Sequence, residues 1–554
     1  MAAKLNKFSL FSILGVLLWG VFFLNHPVDS YGARGKKPKA SKALFFQGEA
    51  LYQKQCAVCH GPKGGADGKA AYLLSPTPRD FLRDKFRLVS TTNMEATDED
   101  IFETITRGML GSAMPPWGHL AENDRWALVY YVRYLSEVEK YKARGEISED
   151  MAQKGLSWEW IEKIVNKGID PQSVIKEIPP EPQASPEFLR NGQVLFMASC
   201  AGCHGAEGKG DGQQKMVTNL GYPVIPRDLT AGLFKGDSTS EELYQRMVAG
   251  LPGSPMPSYT GIFTQEQIWD LIHYVQSLSS PAVEEKARLK YSKVIVKKVS
   301  GPIEADPLSA PWVAAEPVYI ALTPLWWRDN RIEGVEVRAL HNKEKIAFYL
   351  KWADSMEDNN LAKVQSFSDG AALQFSKEKD PPFFGMGGKG EVVDFWHWKA
   401  GWEEGAGWND IEAQYPSAAV DWYASQKNYE YGSAFEASGS AAQFHDPVYM
   451  TGWGAGNPLS DVEGKKAAEE GRAQGLGSYT IQLPQKEKVS AKGIWDKGVW
   501  HVVFVRSLTA ADKGGLKFTP GETAHVAFAV WDGARGDRNG QKSVSIWNEL
   551  ILEK

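Results

Sequence analysis

The chain has 554 residues, 43% of them hydrophobic and 23% charged, with a formal net charge of −6. That length accommodates three or four domains with sizeable cores. The charge is too small to point to nucleic acid or to any strongly charged partner.

The N-terminus reads as a targeting segment, residues 1–30. Lys4 and Lys7 precede an uncharged run from Phe8 to Leu24. Such a run suits a signal peptide or a retained membrane anchor, and Val28-Asp29-Ser30 offers only a weak cleavage site. The anchor is the favoured reading. Both readings put the body of the protein outside the cytoplasm, in the periplasm, with Lys4 and Lys7 inside. Residues 31–43, with Lys36, Lys37 and Lys39, form a tether.

Residues 44–139 make a first domain. Phe46, Leu51 and Tyr52 are expected on the apolar face of a helix leading to Cys56-Ala57-Val58-Cys59-His60. This is C-x-x-C-H, the attachment signal of a c-type haem. Cys56 and Cys59 would add to the haem vinyl groups, and His60 would be the proximal ligand. Alone, C-x-x-C would also suit a redox dithiol or half a zinc site. Thr97-Asp98-Glu99-Asp100 reads as a helix start carrying Ile101, Phe102 and Ile105. A last helix is expected from about Glu122 to Val138, with Trp126, Val129, Tyr130 and Leu135 inward.

A linker follows over 140–185, with one short helix (Ser157 to Lys167) and a proline-rich end. Residues 186–280 then repeat the first domain. Cys200-Ala201-Gly202-Cys203-His204 matches the first motif, and the flanks match too. Gly48 and Gly192 each lie eight residues before the first Cys. Gly61 and Gly205 follow each His, and Asp67-Gly68 and Asp211-Gly212 begin seven residues after it. A redox dithiol needs no such downstream pattern. The reading is therefore two covalent haems, with all 4 cysteines consumed.

The repeat also supplies sixth ligands. Met114 in Ala113-Met114-Pro115 and Met256 in Pro255-Met256-Pro257 each lie six residues after a glycine, Gly108 or Gly250. A thioether is a soft neutral ligand that raises the potential. Core filling is the ordinary role of Met. His119 and His273 compete as ligands, but neither recurs in the other repeat. On these motifs, residues 44–138 and 186–279 resemble two class I cytochrome c domains. The resemblance implies small helical domains with His/Met haems.

Residues 281–302 read as a second linker, and 303–554 as a β-sandwich. Val335–Leu340, Ile346–Leu350, Val499–Arg506 and His525–Val530 have strand character, and Gly405–Gly477 would be long loops. The whole chain is thus multidomain α + β, two small all-α domains followed by a β-sandwich. Four motifs of this region resemble the haem-binding gamma subunit of ethylbenzene dehydrogenase. They are Val335 to His341, Asp369 to Phe375, Phe395 to Ala400, and Val526 to Gly533 with Asp537 to Ser543. That family includes the gamma subunits of dimethylsulfide dehydrogenase, selenate reductase and chlorate reductase. It implies one non-covalent haem b held by a Met and a Lys. Met386 and Lys542 are the best matches here. His397 and Lys399 are fallbacks, and Met356 and Met450 rank lower. A ligating Lys must be a neutral, buried amine.

No substrate-transforming site is recognisable, and no catalytic residue is assigned. The reading is an electron-transfer subunit serving molybdenum/iron–sulfur oxidoreductase subunits, with other cytochromes or a terminal oxidase at the far end. The fusion looks similar to the gamma-type subunits of nitrite oxidoreductases. Two other classes stay open at this stage. One is a cytochrome fused to a carbohydrate-binding sandwich, since the chain has 20 Trp to serve as platforms. The other is a haem c enzyme of peroxidase type, which needs an open sixth position.

Overall fold

Ser41 accepts a hydrogen bond from the Leu44 amide and so starts α1 (Lys42–Gln55). These residues come from a computed structural model, which describes 36–360, 365–403, 467–481, 489–509 and 515–554. The targeting segment, Met450 and most of the 405–477 tract lie outside the described residues. Residues Lys39–Lys554 make one contact-connected unit.

After α1 the C-x-x-C-H motif forms the single turn α2 (Ala57–His60). Thr97 and Asp100 form a reciprocal capping box that starts α3 (Asp98–Arg107). α4 (Glu122–Ala143) runs a turn beyond the expected end at Val138. α5 (Glu149–Lys154) and α6 (Trp158–Val165) occupy the stretch read as a linker. They dock on α4 through Val138, Tyr141, Ile147 and Ile164. The second repeat has α7 (Pro186–Ser199), α8 (Ala201–His204), α9 (Ser240–Ala249) and α10 (Gln265–Ser277) in the same order. It adds a small hairpin, β1 (Met216–Val217) with β2 (Pro223–Val224). α11 (Pro281–Ala287) closes the helical part.

In each repeat the first and last helices cross at a glycine. A Cβ on Gly48 would lie 2.0 Å from the Ala127 carbonyl oxygen, and one on Gly192 would lie 2.1 Å from that of Asp270. This close approach is why the glycines recur. Tyr52 and Phe196 are buried beside them, as expected. On α1 the inward ring is Phe45, at 3% exposure, whereas Phe46 is 46% exposed. The helical face is therefore set one residue earlier than the sequence suggested.

The C-terminal region is one sheet bent into a nearly closed sandwich. Its strands are β3 (Lys293–Lys298), β4 (Val318–Ala321), β5 (Thr323–Pro324), β6 (Gly334–His341), β7 (Lys345–Ala353), β8 (Gly370–Ser376) and β9 (Val393–Lys399), then β10 (Ala468–Ala473), β11 (Thr480–Ile481), β12 (Ser490–Asp496), β13 (Val499–Ser507), β14 (Thr523–Trp531), β15 (Ser543–Val544) and β16 (Asn548–Leu552). The main path runs β11-β10-β9-β8-β14-β16-β3-β6-β7-β13-β12. Pairs are antiparallel except β16–β3 and β3–β6. β3 lies within the stretch read as a linker, and it is the strand that joins the two halves. Trp352, Trp396, Trp398 and Trp500 are all at most 2% exposed and fill the core. Period-two alternation turns these rings inward, so they are not surface platforms for sugars.

Candidate haem sites

The short turn α2 begins at Cys56, whose amide donates to Tyr52, and the His60 amide donates to Cys56. Gly61 then takes a positive φ of 83° that places it against Asp67, where a Cβ would collide with the carboxylate. Gly205 repeats this with Asp211 at φ 77°. These contacts give the repeated Gly and Asp a physical reason. They fold the chain tightly back under the His.

His60 Nδ1 lies 2.9 Å from the Arg79 carbonyl oxygen, to which it can donate. That bond fixes the ring and leaves Nε2 with a free lone pair. Phe81 stacks on the ring at 4.7 Å between centroids. Burial pushes the His60 and His204 imidazoles down to about 4, so both are neutral near neutral pH. Burial also pushes the Cys56 and Cys59 thiols up to about 12, which disfavours a thiolate redox pair.

His60, Cys56 and Cys59 line one cavity with Met114 and Pro115. The Met loop is a tight turn in which Met109 N–H donates to the Met114 carbonyl at 3.1 Å. Leu251 and Met256 make the same bond at 3.1 Å in the second repeat. The competing histidines are otherwise engaged. His119 stacks near Tyr291, and His273 Nε2 lies 3.1 Å from Glu181. The donor set and cavity fit a haem between His60 and Met114.

On the sandwich, Met386 and Lys542 face one outer surface of the sheet. Met386 takes a positive φ of 76°, and its amide donates to Gln374 on β8 at 3.3 Å. Its side chain packs with Phe395, Ala527 and Trp547. Lys542 Nζ lies 4.7 Å from the centre of the Trp531 ring on β14. Trp531 pairs with Gly370, four residues along β8 from Gln374, a span of about 13 Å. Between these ends the floor is small: Ala372 on β8 pairs with Ala529 on β14. His397 pairs with Ala372 on the other side, and its Nε2 is buried without a partner among the described residues. Lys399 reaches the Trp402 ring instead. Burial pushes the Lys542 ammonium down to about 8, within reach of the neutral amine. Met356 is 55% exposed and stands apart. A floor that includes Ala372 and Ala529, with a thioether at one end and a buried amine at the other, would suit a haem b held by Met386 and Lys542.

The two kinds of site are neighbours. Phe383, three residues before Met386, lines the cavity of His60 and Met114. Lys54 on α1 pairs at 3.1 Å with both Asp380 and Glu391, which flank that loop. Lys542 is linked through backbone to the segment that supplies Leu74 and Pro76 to the same cavity. Leu325 N–H donates to the Lys542 carbonyl at 2.9 Å, and Ser75 N–H donates to the Leu325 carbonyl at 3.0 Å. No sequence motif marked Phe383; it emerged only from packing.

Family comparison agrees with this layout. Residues 310–543 match the ethylbenzene dehydrogenase family, 189–279 match cytochrome c, and 44–132 match cytochrome c oxidase, cbb3-type, subunit III. The chain carries cytochrome c domains followed by an ethylbenzene dehydrogenase-type domain. It is 25% identical over 221 residues to a Haloferax mediterranei protein named as a candidate respiratory nitrate reductase heme subunit, ORF7. That match covers 40% of this chain and 56% of the relative, so the chain spans little more than half of it. It is 23% identical over 265 residues to the chlorate reductase subunit gamma of Ideonella dechloratans, covering 46% of this chain and 82% of the relative. A chain of the Kuenenia stuttgartiensis reducing HAO-like protein complex is 30% identical, covers 44% of this chain over its whole length (100%), and superposes with a TM-score of 0.37. No helix among the described residues is long and apolar enough to cross a membrane.

Proposed function

We propose that this chain is an extracytoplasmic electron-transfer subunit with two covalent c haems and one b haem. Each haem iron would take up and release one electron by cycling between ferric and ferrous states. Cys56, Cys59, Cys200 and Cys203 hold the c haems, and His60 with Met114 and His204 with Met256 are the axial pairs. Met386 and Lys542 are the axial pair of the b haem. The chain's own task is to keep the imidazoles and the Lys542 amine neutral, exclude water, and set the haems within reach of one another.

The observation that carries this reading is that Phe383, from the Met386 loop, lines the His60–Met114 cavity. On this reading the first cytochrome domain is the middle station, between the sandwich and the second cytochrome domain. We assign the sandwich side to a molybdenum oxidoreductase with iron–sulfur centres, and the second cytochrome to an outgoing carrier or terminal oxidase of the respiratory chain. The relatives named as a nitrate reductase haem subunit and a chlorate reductase gamma subunit support an oxyanion-handling partner. Nitrite oxidoreductase is the specific complex we propose. The uncharged N-terminal run would tether the assembly to the inner membrane.

Two measurements test this. A pyridine haemochrome assay on the full chain should give two c haems and one b haem. Purification from native membranes should bring down a molybdenum-containing catalytic subunit. A chain without haem b, or one isolated with no oxidoreductase subunit, would remove the corresponding part of the proposal.

A further inference from the structure

The repeat continues beyond the haem motifs in a way no ligand role explains. Pro78-Arg79-Asp80-Phe81 matches Pro226-Arg227-Asp228-Leu229, and Phe86-Arg87 matches Phe234-Lys235, with the same eight-residue step from Arg79 to Arg87 and from Arg227 to Lys235. The backbone repeats as well. Phe81 N–H donates to Gly64 and Leu229 N–H donates to Gly208, both at 2.8 Å. Asp80 and Asp228 each accept from the amide two residues on, at 2.9 and 3.0 Å.

These equivalent positions do not stay in their own domains. Arg79, Arg87, Arg227 and Lys235 all line the single cavity that holds His60 and Met114. Arg87 Nη1 donates to the Pro252 carbonyl in the Met256 loop at 2.7 Å. Arg227 Nε donates to the Leu110 carbonyl in the Met114 loop at 3.1 Å. Each repeat thus sends an arginine to the other's methionine loop. Gly111 and Gly253 leave room for these side chains, because a Cβ there would lie 2.7 Å from Arg227 and 2.8 Å from Arg87.

The charges do not balance within the protein. Asp84 pairs with Arg79 and lies 3.5 Å from Arg87. Arg227 is 5% exposed, and its Nη1 has no partner among the described residues. Lys235 has no carboxylate partner there and is surrounded by Arg227, Arg87 and Arg79. Four cations against one carboxylate leave three positive charges facing a largely apolar space. Such burial is costly without anions. The other carboxylates do not supply them: Asp80 holds Arg83, Asp100 accepts from the Ser90 and Thr97 amides, and Asp228 caps its own turn.

We propose that Arg79, Arg87, Arg227 and Lys235 form one shared anion site that takes haem propionates from both covalent haems. This rests on the assignment of c haems above. Arg79, Arg87, Arg227 and Lys235 would hold propionates of both haems at the domain junction, so a charge lost at the cluster would act on both haem potentials.

The test is spectroelectrochemical titration of the full chain carrying both c haems. Lys235→Met should lower the midpoint potentials of both c haems, because a cation near a propionate favours the ferrous state. Lys235→Arg should leave both near the parent values. Arg87→Gln, on the other repeat, should also lower both. A shift confined to one c haem, or none, with both haems attached, overturns the shared site while the haem assignment stands. Absence of covalent haem in the parent chain would instead overturn the assignment itself. Resonance Raman of the unaltered chain gives a check that needs no variant. Propionate bending bands of both haems should show hydrogen-bonded carboxylates, and unbonded bands on either haem overturn the proposal.

Discussion

Glu470 and Arg506 lie on β10 and β13, near opposite ends of the strand path, yet their side chains pair at 2.5 Å inside the core. Arg506 is 2% exposed and sits over the rings of Trp396 and Phe518. The pair therefore staples the two halves of the bent sheet. Truncating Glu470 to Ala would leave a buried guanidinium with its carboxylate gone, at a cost of roughly 3–5 kcal/mol. Denaturant unfolding of the full chain should show that loss. A double variant replacing both residues by apolar ones should recover much of it.

The helix crossing at Gly48 makes a second expectation. Gly48→Ala forces a methyl against the Ala127 carbonyl, and overpacking of this kind costs about 1–3 kcal/mol. Thermal melting followed at the haem absorbance should fall for Gly48→Ala and for its counterpart Gly192→Ala. An unchanged melt would mean the helices can part without penalty.

Met114→Ala should keep its covalent haem, because Cys56 and Cys59 are untouched. The low-spin signature of Met coordination should vanish at one c haem only, together with a fall in its potential. The ferric absorbance and redox titration of Met114→Ala and Met256→Ala read this directly. A parent-like spectrum in either variant would point to a different sixth ligand.

Lys542→Ala and Met386→Ala should strip the non-covalent haem and leave the covalent pair at full content. Haemochrome assays report the ratio. If both variants retain haem b, His397, whose buried Nε2 has no partner among the described residues, is the next side chain to replace.

Three buried carboxylates, Asp354, Asp369 and Asp532, cluster where β7 ends, β8 begins and β14 ends. Burial pushes Asp354 up to about 6 and Asp369 up to about 8, with Asp354 adding to the shift at Asp369. The folded chain therefore holds protons that the unfolded chain releases at ordinary carboxylate pKa values. The contribution of these two groups to stability is fully present below that range and is lost as pH rises through about 8. Asp354→Asn, which removes the orphaned Oδ2, should flatten this dependence and raise the melting temperature at pH 8. Melting curves from pH 5 to 8.5 distinguish the two profiles.

The helical repeats were legible because the C-x-x-C-H turn and its Gly and Asp flanks keep a fixed local spacing. Cysteines, histidine, glycine and aspartate must sit at set intervals to make one tight turn. The Met loops were legible for a related reason, since each is a short turn with its own hydrogen bond. Strands were recognisable from alternation, but not their order. The join through β3, placed in a linker by composition, depends on parallel pairing between residues roughly 250 positions apart.

By itself the sequence determined which residues could carry haem chemistry: the four cysteines, His60, His204, the two methionine loops and the motifs around Met386 and Lys542. Only the tertiary structure decided what stands next to what. Phe383 lining the cavity of His60 and Met114, Glu470 meeting Arg506, and Arg79, Arg87, Arg227 and Lys235 sharing one space all join distant segments. Local spacing fixes turns and faces, because those follow from backbone geometry over a few residues. Burial of charge and the approach of two domains follow instead from packing of whole surfaces, which no short stretch of chain encodes.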